Sequence, residues 1–296
     1  MSLFNKFKIN ILPIIKLALK ILGVIFSVLT IVLSFVSWDD MGISKIYIKL
    51  IILFSVVVLS FVVSLILIVF FLKTKKIWSH GNNKVTASYN DLMKIGFETN
   101  DKNCKIVVIP VNDTFDTIVE TTSETISKPL VSPNTLHGMW VTKFCNKTGI
   151  TVESLNERIQ NNLKKNGFSP VKTYTSMEKE RGNLESYDIG TVAIIDGPNN
   201  VKFYLLVVSK FDSNNNAHAT KKQIRESIDD LIEFYSKKGQ SDTMFIPLIG
   251  TGSSRANLTH DQSFKMLKSS ITVTKINGKI DIVVYNGDQN KVSIFE

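Results

Sequence analysis

The sequence predicts a three-layer α/β/α domain with a mixed sheet, preceded by two transmembrane α-helices. Two observations support this prediction. Two uncharged apolar runs, residues 21–38 and 50–72, lie near the start of the chain. After them, apolar strand-like segments alternate with segments of helical spacing, a pattern typical of a largely parallel or mixed sheet covered on both faces.

Each apolar run is long enough to cross a bilayer. At about 1.5 Å per residue the two helices would measure roughly 27 and 35 Å, against a hydrocarbon core of about 30 Å. A signal peptide is the alternative for the first run, because four lysines precede it. Against that alternative, no small-residue cleavage site follows the run, and a second full-length run comes directly after it.

The distribution of charge predicts the orientation. Residues 1–76 contain nine lysines and two acidic residues, so most of the formal net charge of +9 belongs to them. Lysines cluster before the first run and after the second. Lysine and arginine are enriched in the cytoplasmic segments that flank membrane helices. We therefore expect a multi-pass protein of the cell membrane with both termini in the cytoplasm. The basic balance belongs to the membrane flanks, so we expect a lipid bilayer as partner and no nucleic acid.

Small and polar residues recur every three or four positions along the first run, which places them on one face of a helix. In lipid, helices associate through close approach of such faces. The alternative is that the hydroxyls bond to their own backbone. Neither run contains a charged residue, so we expect no transporter-type proton or ion relay. Two helices per chain can form a pore only in a homo-oligomer. The predicted contact face consists of Gly23, Ser27, Thr30, Ser34 and Ser37.

We predict a membrane module at residues 1–76, a linker at 77–84 and one domain at 85–296. A stretch without clear periodicity, residues 114–134, is interpreted as a long loop. The predicted strands are residues 105–111, 190–195, 202–209, 243–249 and 279–285, which are rich in β-branched or aromatic side chains. The predicted helices are residues 151–165, 219–238 and 261–270.

Several common site types lack their sequence signatures. The two cysteines, in a domain predicted to be cytoplasmic, are expected to stay reduced. The four histidines show no paired ligand spacing and there is no Cys-x-x-Cys, so we predict no metal site. A Walker loop, a nucleophile elbow and a complete dinucleotide fingerprint are also missing from the sequence.

Two predicted strands end in polar residues suited to ligand binding. The string IVVIPVNDTFDTIV contains Asn112 at the end of one strand. The string MFIPLIGTGSSRANLTHDQ places a Gly-Thr-Gly turn between a strand and a helix. Such a turn exposes backbone N–H groups that favour an anion such as a diphosphate. Taken alone, such a turn is more often a tight connection of no functional role.

Together these strings resemble a macro domain. The resemblance implies that Asp91, in SYNDLMKI, accepts a hydrogen bond from adenine, and that Asn112 contacts the distal ribose. It further implies that the Gly-Thr-Gly turn of the string MFIPLIGTGSSRANLTHDQ is a phosphate loop. The adenosine ribose would lie near the end of the last predicted strand, residues 279–285. The implied ligand-binding residues are Asp91, Asn112, Asp113, Thr114, Phe115, Asp116, Gly250, Thr251, Gly252, Ser253, Ser254, Arg255, Tyr285 and Asn286.

One departure from the resemblance bears on catalysis. ADP-ribosyl hydrolases of this fold have a glycine triplet after the strand that ends in Asn, whereas this chain has Asp113 to Asp116. The bulky, acidic loop favours ligand binding without turnover, or a different group on the distal ribose. We therefore predict no catalytic residue. A membrane-anchored ADP-ribosyl hydrolase or other nucleotide-processing enzyme remains the alternative, and a membrane-tethered recruitment module is a third.

Two membrane helices followed by such a domain, with the string SPNTLHG at residues 132–138, resemble the membrane effectors of type II Thoeris antiphage defence. The resemblance implies a TIR-domain partner that makes a diffusible ADP-ribose conjugate, with histidine-linked ADP-ribose as the candidate. It implies no cofactor beyond this ligand. Binding would trigger oligomerisation and disruption of the membrane.

Overall fold

The computed structural model describes residues 3–99, 103–121, 129–211, 217–239, 242–252, 256–274, 276 and 278–296. The predicted site residues Ser253, Ser254 and Arg255 therefore lie outside the described residues. The chain divides into two compact units, one formed by Met1–Lys75 with Gly287–Glu296 and the other by Lys76–Asn286.

The helices are α1 (Leu3–Ile9), α2 (Ile11–Leu33), α3 (Ile46–Ile66, continued by a π-helical turn at Leu67–Phe71), α4 (Leu92–Phe97), α5 (Leu136–Thr148), α6 (Val152–Lys165), α7 (Lys221–Lys238) and α8 (His260–Val273). The strands are β1 (Thr74–His80), β2 (Asn83–Asn90), β3 (Lys105–Asn112), β4 (Lys172–Thr173), β5 (Glu185–Ser186), β6 (Val192–Asp196), β7 (Val201–Phe211), β8 (Ala217–His218), β9 (Thr243–Pro247) and β10 (Lys279–Tyr285). A short 3-10 turn, Asn286–Asp288, follows β10.

In the first unit, α2 and α3 pack against each other. Ile11–Leu33 and Ile46–Phe71 are long and apolar enough to cross a membrane, and only 11% and 17% of their most apolar windows are buried. A core helix of a soluble protein would be mostly buried. α2 begins ten residues before the predicted run and includes Lys16 and Lys20, because lysine is a good helix former that does not end a helix.

The hydroxyls of α2 bond to their own backbone. Ser27, Thr30 and Ser34 each donate to the carbonyl oxygen four residues earlier, at 2.8, 2.8 and 2.9 Å. The five residues of the predicted contact face are all exposed in this unit. Ser60 and Ser64 of α3 are instead buried. The Gly23 to Ser37 face is thus not used within the unit.

Within the described residues of the second unit, eight strands form one mixed sheet in the order β1-β2-β10-β9-β3-β7-β6, with β8 beside β7. Neighbouring strands from β2 to β7 run parallel. β6 and β8 pair antiparallel with β7. The two short strands β4 and β5 form a separate pair.

Helices cover both faces of this sheet. On one face, alternate residues of β3 and β7, including Val107, Ile109 and Phe203, form a buried cluster with α4, α5 and α6. On the other face, α7 packs against α8 and β7, and Tyr204 meets Phe234 at a ring distance of 5.5 Å. Strands buried on both faces are apolar at nearly every position, which explains the uninterrupted apolar runs. The predicted three-layer architecture is confirmed.

The structure differs from the prediction in the segments that connect the two units. Residues 77–84, predicted as a linker, form the end of β1, a turn at Gly81 and the start of β2. The last ten residues, predicted as part of the domain, belong to the first unit. β2 was not predicted because its string NKVTASYN contains few large apolar residues. α5 was not predicted because Gly138 and several polar residues interrupt its apolar face.

Candidate functional site

Four neighbouring parallel strands end at one edge of the sheet, and the predicted site residues follow these ends. In the sheet order these strands are β2, β10, β9 and β3. Asn90 of β2 is in register with Tyr285 of β10, so Asp91 and Asn286 follow at the same level. The structure therefore brings the described site residues to one edge, although they come from distant parts of the sequence.

The ladder between β3 and β9 ends early. These strands pair only from Lys105↔Thr243 to Val107↔Phe245, whereas β3 continues beside β7 as far as Asn112. Pro110 and Pro247 lie beyond the last pair, and neither has the backbone N–H that a longer ladder would need. The carboxyl ends of β3 and β9 are thus free of mutual hydrogen bonding.

The chain leaves these two strands in opposite directions along the sheet. After β3 it crosses to β6 and β7 on one side, and after β9 it passes through α8 to β10 on the other. Parallel sheets bind ligands at such a switch point, in the crevice outside the carboxyl ends of the strands. The β3/β9 junction is the point in this sheet that meets the rule.

The glycine turn after β9 contains two glycines with different roles. Gly250 has φ +85°, and a Cβ there would lie 2.7 Å from Leu258 Cδ1, so the fold itself requires glycine. Gly252 is exposed, and a Cβ there would meet no described atom within 4 Å. The described residues leave space at Gly252 that a ligand can occupy.

The helix after this turn begins later than the anion-site interpretation requires. α8 starts at His260, where Thr259 and Gln262 form a capping box that satisfies backbone N–H groups of the first turn. The Gly-Thr-Gly turn is therefore not the immediate N-terminus of α8. Any phosphate contact at Gly250 to Gly252 would be made by loop N–H groups, without a helix end directly behind them.

Asp91 lies at the start of α4, directly after β2. Its Oδ1 accepts hydrogen bonds from the backbone N–H groups of Met93 and Lys94, at 2.8 and 3.3 Å, and so caps the helix. Its Oδ2 accepts no hydrogen bond from the described residues. The cap fixes the carboxylate at the sheet edge and leaves one oxygen for an external donor.

The loop after β3 is buried and closed by its own hydrogen bonds. Asn112 Nδ2 donates to Asp116 Oδ2 at 2.7 Å, and Asn112 Oδ1 accepts from the backbone N–H of Asp116 at 3.0 Å. Thr114 and Phe115 are also buried. Phe115 has φ +50°, a left-handed conformation that glycine adopts freely and that here is held by edge-on packing against Tyr187.

A buried ion pair holds this loop in place. Lys179 Nζ lies 2.8 Å from Asp116 Oδ2, with side chains 7% and 0% exposed. The same ammonium donates to Thr114 Oγ1 at 2.7 Å and to the carbonyl oxygen of Asn183 at 2.7 Å. The N–H of Asn183 donates to Asp116 Oδ1 at 2.7 Å. Both charges are therefore satisfied, as burial demands.

Asp113 is anchored separately. Its carboxylate accepts hydrogen bonds from Ser186 Oγ at 2.6 Å and from the backbone N–H of Phe211 at 3.2 Å. Burial raises the pKa of Asp113 above its ordinary value, and these two donors oppose that effect. Asn112, Asp113, Thr114, Phe115 and Asp116 are therefore occupied with partners inside the fold.

Sequence reasoning missed the residues that hold this loop. Lys179, Asn183 and Ser186 lie in the string MEKERGNLES, which contains no apolar periodicity and resembles an exposed loop. Gly182 is the one available signal: its φ is +80°, and a Cβ there would lie 2.2 Å from Asp116 Oδ1. A Gly inside a charged string therefore marks a close approach of two loops.

His137 lies at the start of α5. Its ring stacks on Trp140 at 6.4 Å, and its Nε2 has no hydrogen-bond partner among the described residues. Burial lowers the pKa of His137 to about 4, and the charge of Asp116 opposes this effect. His137 is thus a neutral, buried ring in the folded domain.

We expect the buried His137 to make the domain less stable in acid. The unfolded chain binds a proton at this ring below about pH 6.5, whereas the folded chain does so only below about pH 4. The stabilising effect of the neutral ring is therefore complete above about 6.5 and is lost as the pH falls towards 4, on the order of 3 kcal/mol in total.

We would measure the free energy of unfolding of the parent and of His137→Phe from pH 7.5 to 4.5. In the difference between the two proteins, the contributions of the other titrating groups cancel. The parent should lose stability relative to the variant as the pH falls. Parallel pH profiles for the two proteins would contradict it.

No three His, Cys, Asp or Glu side chains among the described residues are arranged to hold a metal ion. Both cysteines, Cys104 and Cys145, are free thiols. The chemistry offered by the described site is hydrogen bonding at the sheet edge, together with an open glycine position.

Comparison with known proteins identifies the family. The family model for "Thoeris protein ThsA, Macro domain" matches residues 85–285. The Thoeris protein ThsA of Bacillus amyloliquefaciens (strain Y2) is 22% identical over 283 residues, covering 93% of this chain and 86% of that protein.

Solved macrodomains are also similar. A point mutant of the Oceanobacillus iheyensis macrodomain has 14% identity and a TM-score of 0.46, covering 75% of this chain and 89% of its own. A second mutant of the same macrodomain, described with ADPR, has 13% identity and a TM-score of 0.45, covering 75% and 94%. The match of the family model over more than half of the chain identifies it as a member of the ThsA macro-domain family of Thoeris proteins.

Proposed function

We propose that this protein is a membrane effector of Thoeris defence whose macro domain binds an ADP-ribose-derived signal. The observation that supports this most directly is the common edge formed by the ends of β2, β10, β9 and β3, which carries Asp91, Tyr285 and Gly252. Each residue offers what one part of such a ligand needs. The carboxylate accepts from an adenine amino group, the edge of β10 supports a ribose, and the glycine turn admits a pyrophosphate.

The closed loop after β3 favours binding without turnover. A hydrolase needs room beside the distal ribose for a water molecule and a mobile loop. In this chain the ion pair of Lys179 with Asp116 fixes the loop, and Asn112 uses its side-chain amide on Asp116. An ADP-ribosyl hydrolase remains the second candidate function. Release of free ADP-ribose from an ADP-ribosylated protein by the purified chain would favour the hydrolase.

The proposed output is a change in the membrane. α2 and α3 would span the cell membrane with both termini in the cytoplasm, and a TIR-domain partner would supply the signal, with histidine-linked ADP-ribose as the candidate. Binding would raise the population of an assembled state according to the difference in affinity between the two states. The exposed Gly23 to Ser37 face of α2 would then meet the same face of other copies and disrupt the bilayer.

Asp91→Asn tests adenine recognition without removing the helix cap, since an Asn oxygen also caps well. The variant replaces the free carboxylate oxygen with an N–H group that repels the adenine amino group. We expect a loss of about 1–3 kcal/mol in binding free energy for ADP-ribose with little change in melting temperature. Calorimetry and thermal unfolding measure the two quantities. Unchanged affinity would remove Asp91 from the site and leave it a capping residue.

Thr30→Leu combined with Ser34→Leu tests the membrane contact face. Both side chains are exposed and bond only within α2, so the substitutions should preserve the helix and ligand binding. We expect the double variant to lose toxicity in cells that produce the signal. Val28→Leu with Val32→Leu is the matched control on another exposed part of α2. Full toxicity of the Thr30 and Ser34 double variant would locate the contact elsewhere.

The function as a whole is tested by adding ADP-ribose or its histidine conjugate to the full chain in lipid vesicles. Calorimetry on the same protein in detergent reports binding, and dye release from the vesicles reports membrane damage. Binding with release supports the effector. Binding without release favours the recruitment module, and turnover of the conjugate favours the enzyme.

A further inference from the structure

The last ten residues leave the macro-domain unit and join the membrane unit. Lys76–Asn286 form one compact unit, and Gly287–Glu296 cluster with residues 1–75. These ten residues, here called the tail, follow closely on β10, whose last residue is Tyr285. The chain thus passes from the candidate ligand edge to the membrane unit within a few residues.

The tail is seated at the junction between α1 and α2. Ser293 Oγ donates to Asn10 Oδ1 at 2.7 Å, with the two residues 3% and 4% exposed. Lys6 Nζ donates to Gln289 Oε1 at 2.9 Å. Val292 and Ile294, on either side of Ser293, are also buried. A buried polar pair flanked by buried apolar side chains is the composition of a specific contact.

The junction is the most deeply buried part of α2. All residues of α2 are described, and the buried ones are Pro13 and Ile14, both in its first turn. Asn10, between the helices, has φ −99° and ψ 10° and donates its side-chain N–H to the carbonyl oxygen of Lys6 at 2.8 Å. Asn10 therefore interrupts the helix and is fixed by the tail.

The first residues of the tail are braced by backbone hydrogen bonding. The 3-10 turn Asn286–Asp288 follows the strand. The backbone N–H of Lys291 donates to the carbonyl oxygen of Asp288 at 2.9 Å, a contact that does not depend on the lysine side chain. A braced turn transmits a displacement better than a flexible linker does.

We propose that the tail is a strap that carries ligand occupancy from the end of β10 to the α1–α2 junction. This inference rests on the proposed function of the ligand edge. Tyr285 and Asn286 lie at that edge and are exposed, so a ligand that contacts them shifts the start of the strap. The buried side chains of Val292 and Ile294 keep the strap in place on the membrane unit, so the α1–α2 junction moves with the strap.

Val292→Asp combined with Ile294→Asp unseats the strap and leaves the macro domain intact. Lys291→Ala is the matched control: it removes only a solvent-exposed ion pair with Asp288 at 2.7 Å, with side chains 51% and 23% exposed, and keeps the backbone N–H. The full-length proteins are placed in lipid vesicles, and dye release is measured with and without saturating ADP-ribose. We expect the double variant to bind ADP-ribose in calorimetry and to lose the difference in release that the ligand causes, while Lys291→Ala keeps it.

Two results would contradict the proposed role of the strap, and they are distinguishable. If bound ADP-ribose changes dye release equally in the parent and in the double variant, the strap does not transmit the signal and the proposed function stands. If the parent binds ADP-ribose and its vesicles stay tight, the proposed output is wrong and the strap has no signal to transmit.

Discussion

Replacing Gly252 with valine is expected to lower the affinity for ADP-ribose by at least about 100-fold, or roughly 2.7 kcal/mol, and to leave the melting temperature unchanged. The described residues leave room for a side chain here, since a Cβ at Gly252 meets none of their atoms within 4 Å. The affinity falls because the branched side chain occupies the space through which a pyrophosphate would reach the N–H groups of the turn.

Gly250→Val is the contrasting variant in the same turn. Its φ of +85° and the contact with Leu258 make any side chain costly to the fold, so we expect a lower melting temperature. Calorimetry and thermal unfolding on both variants separate a ligand role from a folding role. Unchanged affinity in Gly252→Val would show that the phosphates do not approach this turn.

Lys179→Met is expected to destabilise the macro-domain unit by about 3–5 kcal/mol, because it leaves the Asp116 carboxylate buried without its cation. Asp116 is 0% exposed, and its oxygens hold Asn112, Thr114 and Asn183 in place. The substitution therefore affects the whole loop after β3. For a unit of this size, such a loss lowers the melting temperature by roughly 10 °C.

Lys172→Met provides the control for Lys179→Met. Lys172 pairs with Glu178 nearby, but the two side chains are 50% and 47% exposed, and such surface pairs contribute about 0–1 kcal/mol. Chemical unfolding of both variants measures the difference. Equal destabilisation by the two substitutions would contradict the role assigned to the buried pair.

The sequence alone predicts the parts of this fold that depend on continuous apolar runs. Residues 279–285 form β10 as predicted, and the strand predicted at 105–111 is β3 with one further residue, because both are buried on two faces. β2 and α5 were missed for the opposite reason: each contains many polar residues, and its apolar pattern is interrupted. Periodicity identifies continuously apolar strands more readily than such elements.

The site was predictable only in part. The sequence locates Asn112 and Gly252 after predicted strands, and only the resemblance to macro domains nominates Asp91; parallel pairing brings the three positions to one edge. It does not show that Asn112 bonds inward to Asp116, since this depends on Lys179, distant in sequence. A polar residue at a strand end is equally suited to a ligand and to a buried network, and tertiary contacts decide which it serves.

We propose that a nucleotide bound at the shared strand edge changes the membrane unit. The most direct measurement is dye release from vesicles containing the full chain, with histidine-linked ADP-ribose added at a concentration that calorimetry shows to be saturating. We predict release from the parent and none from Gly252→Val at the same concentration. Vesicles that remain intact while the parent is saturated with the conjugate would contradict the claim.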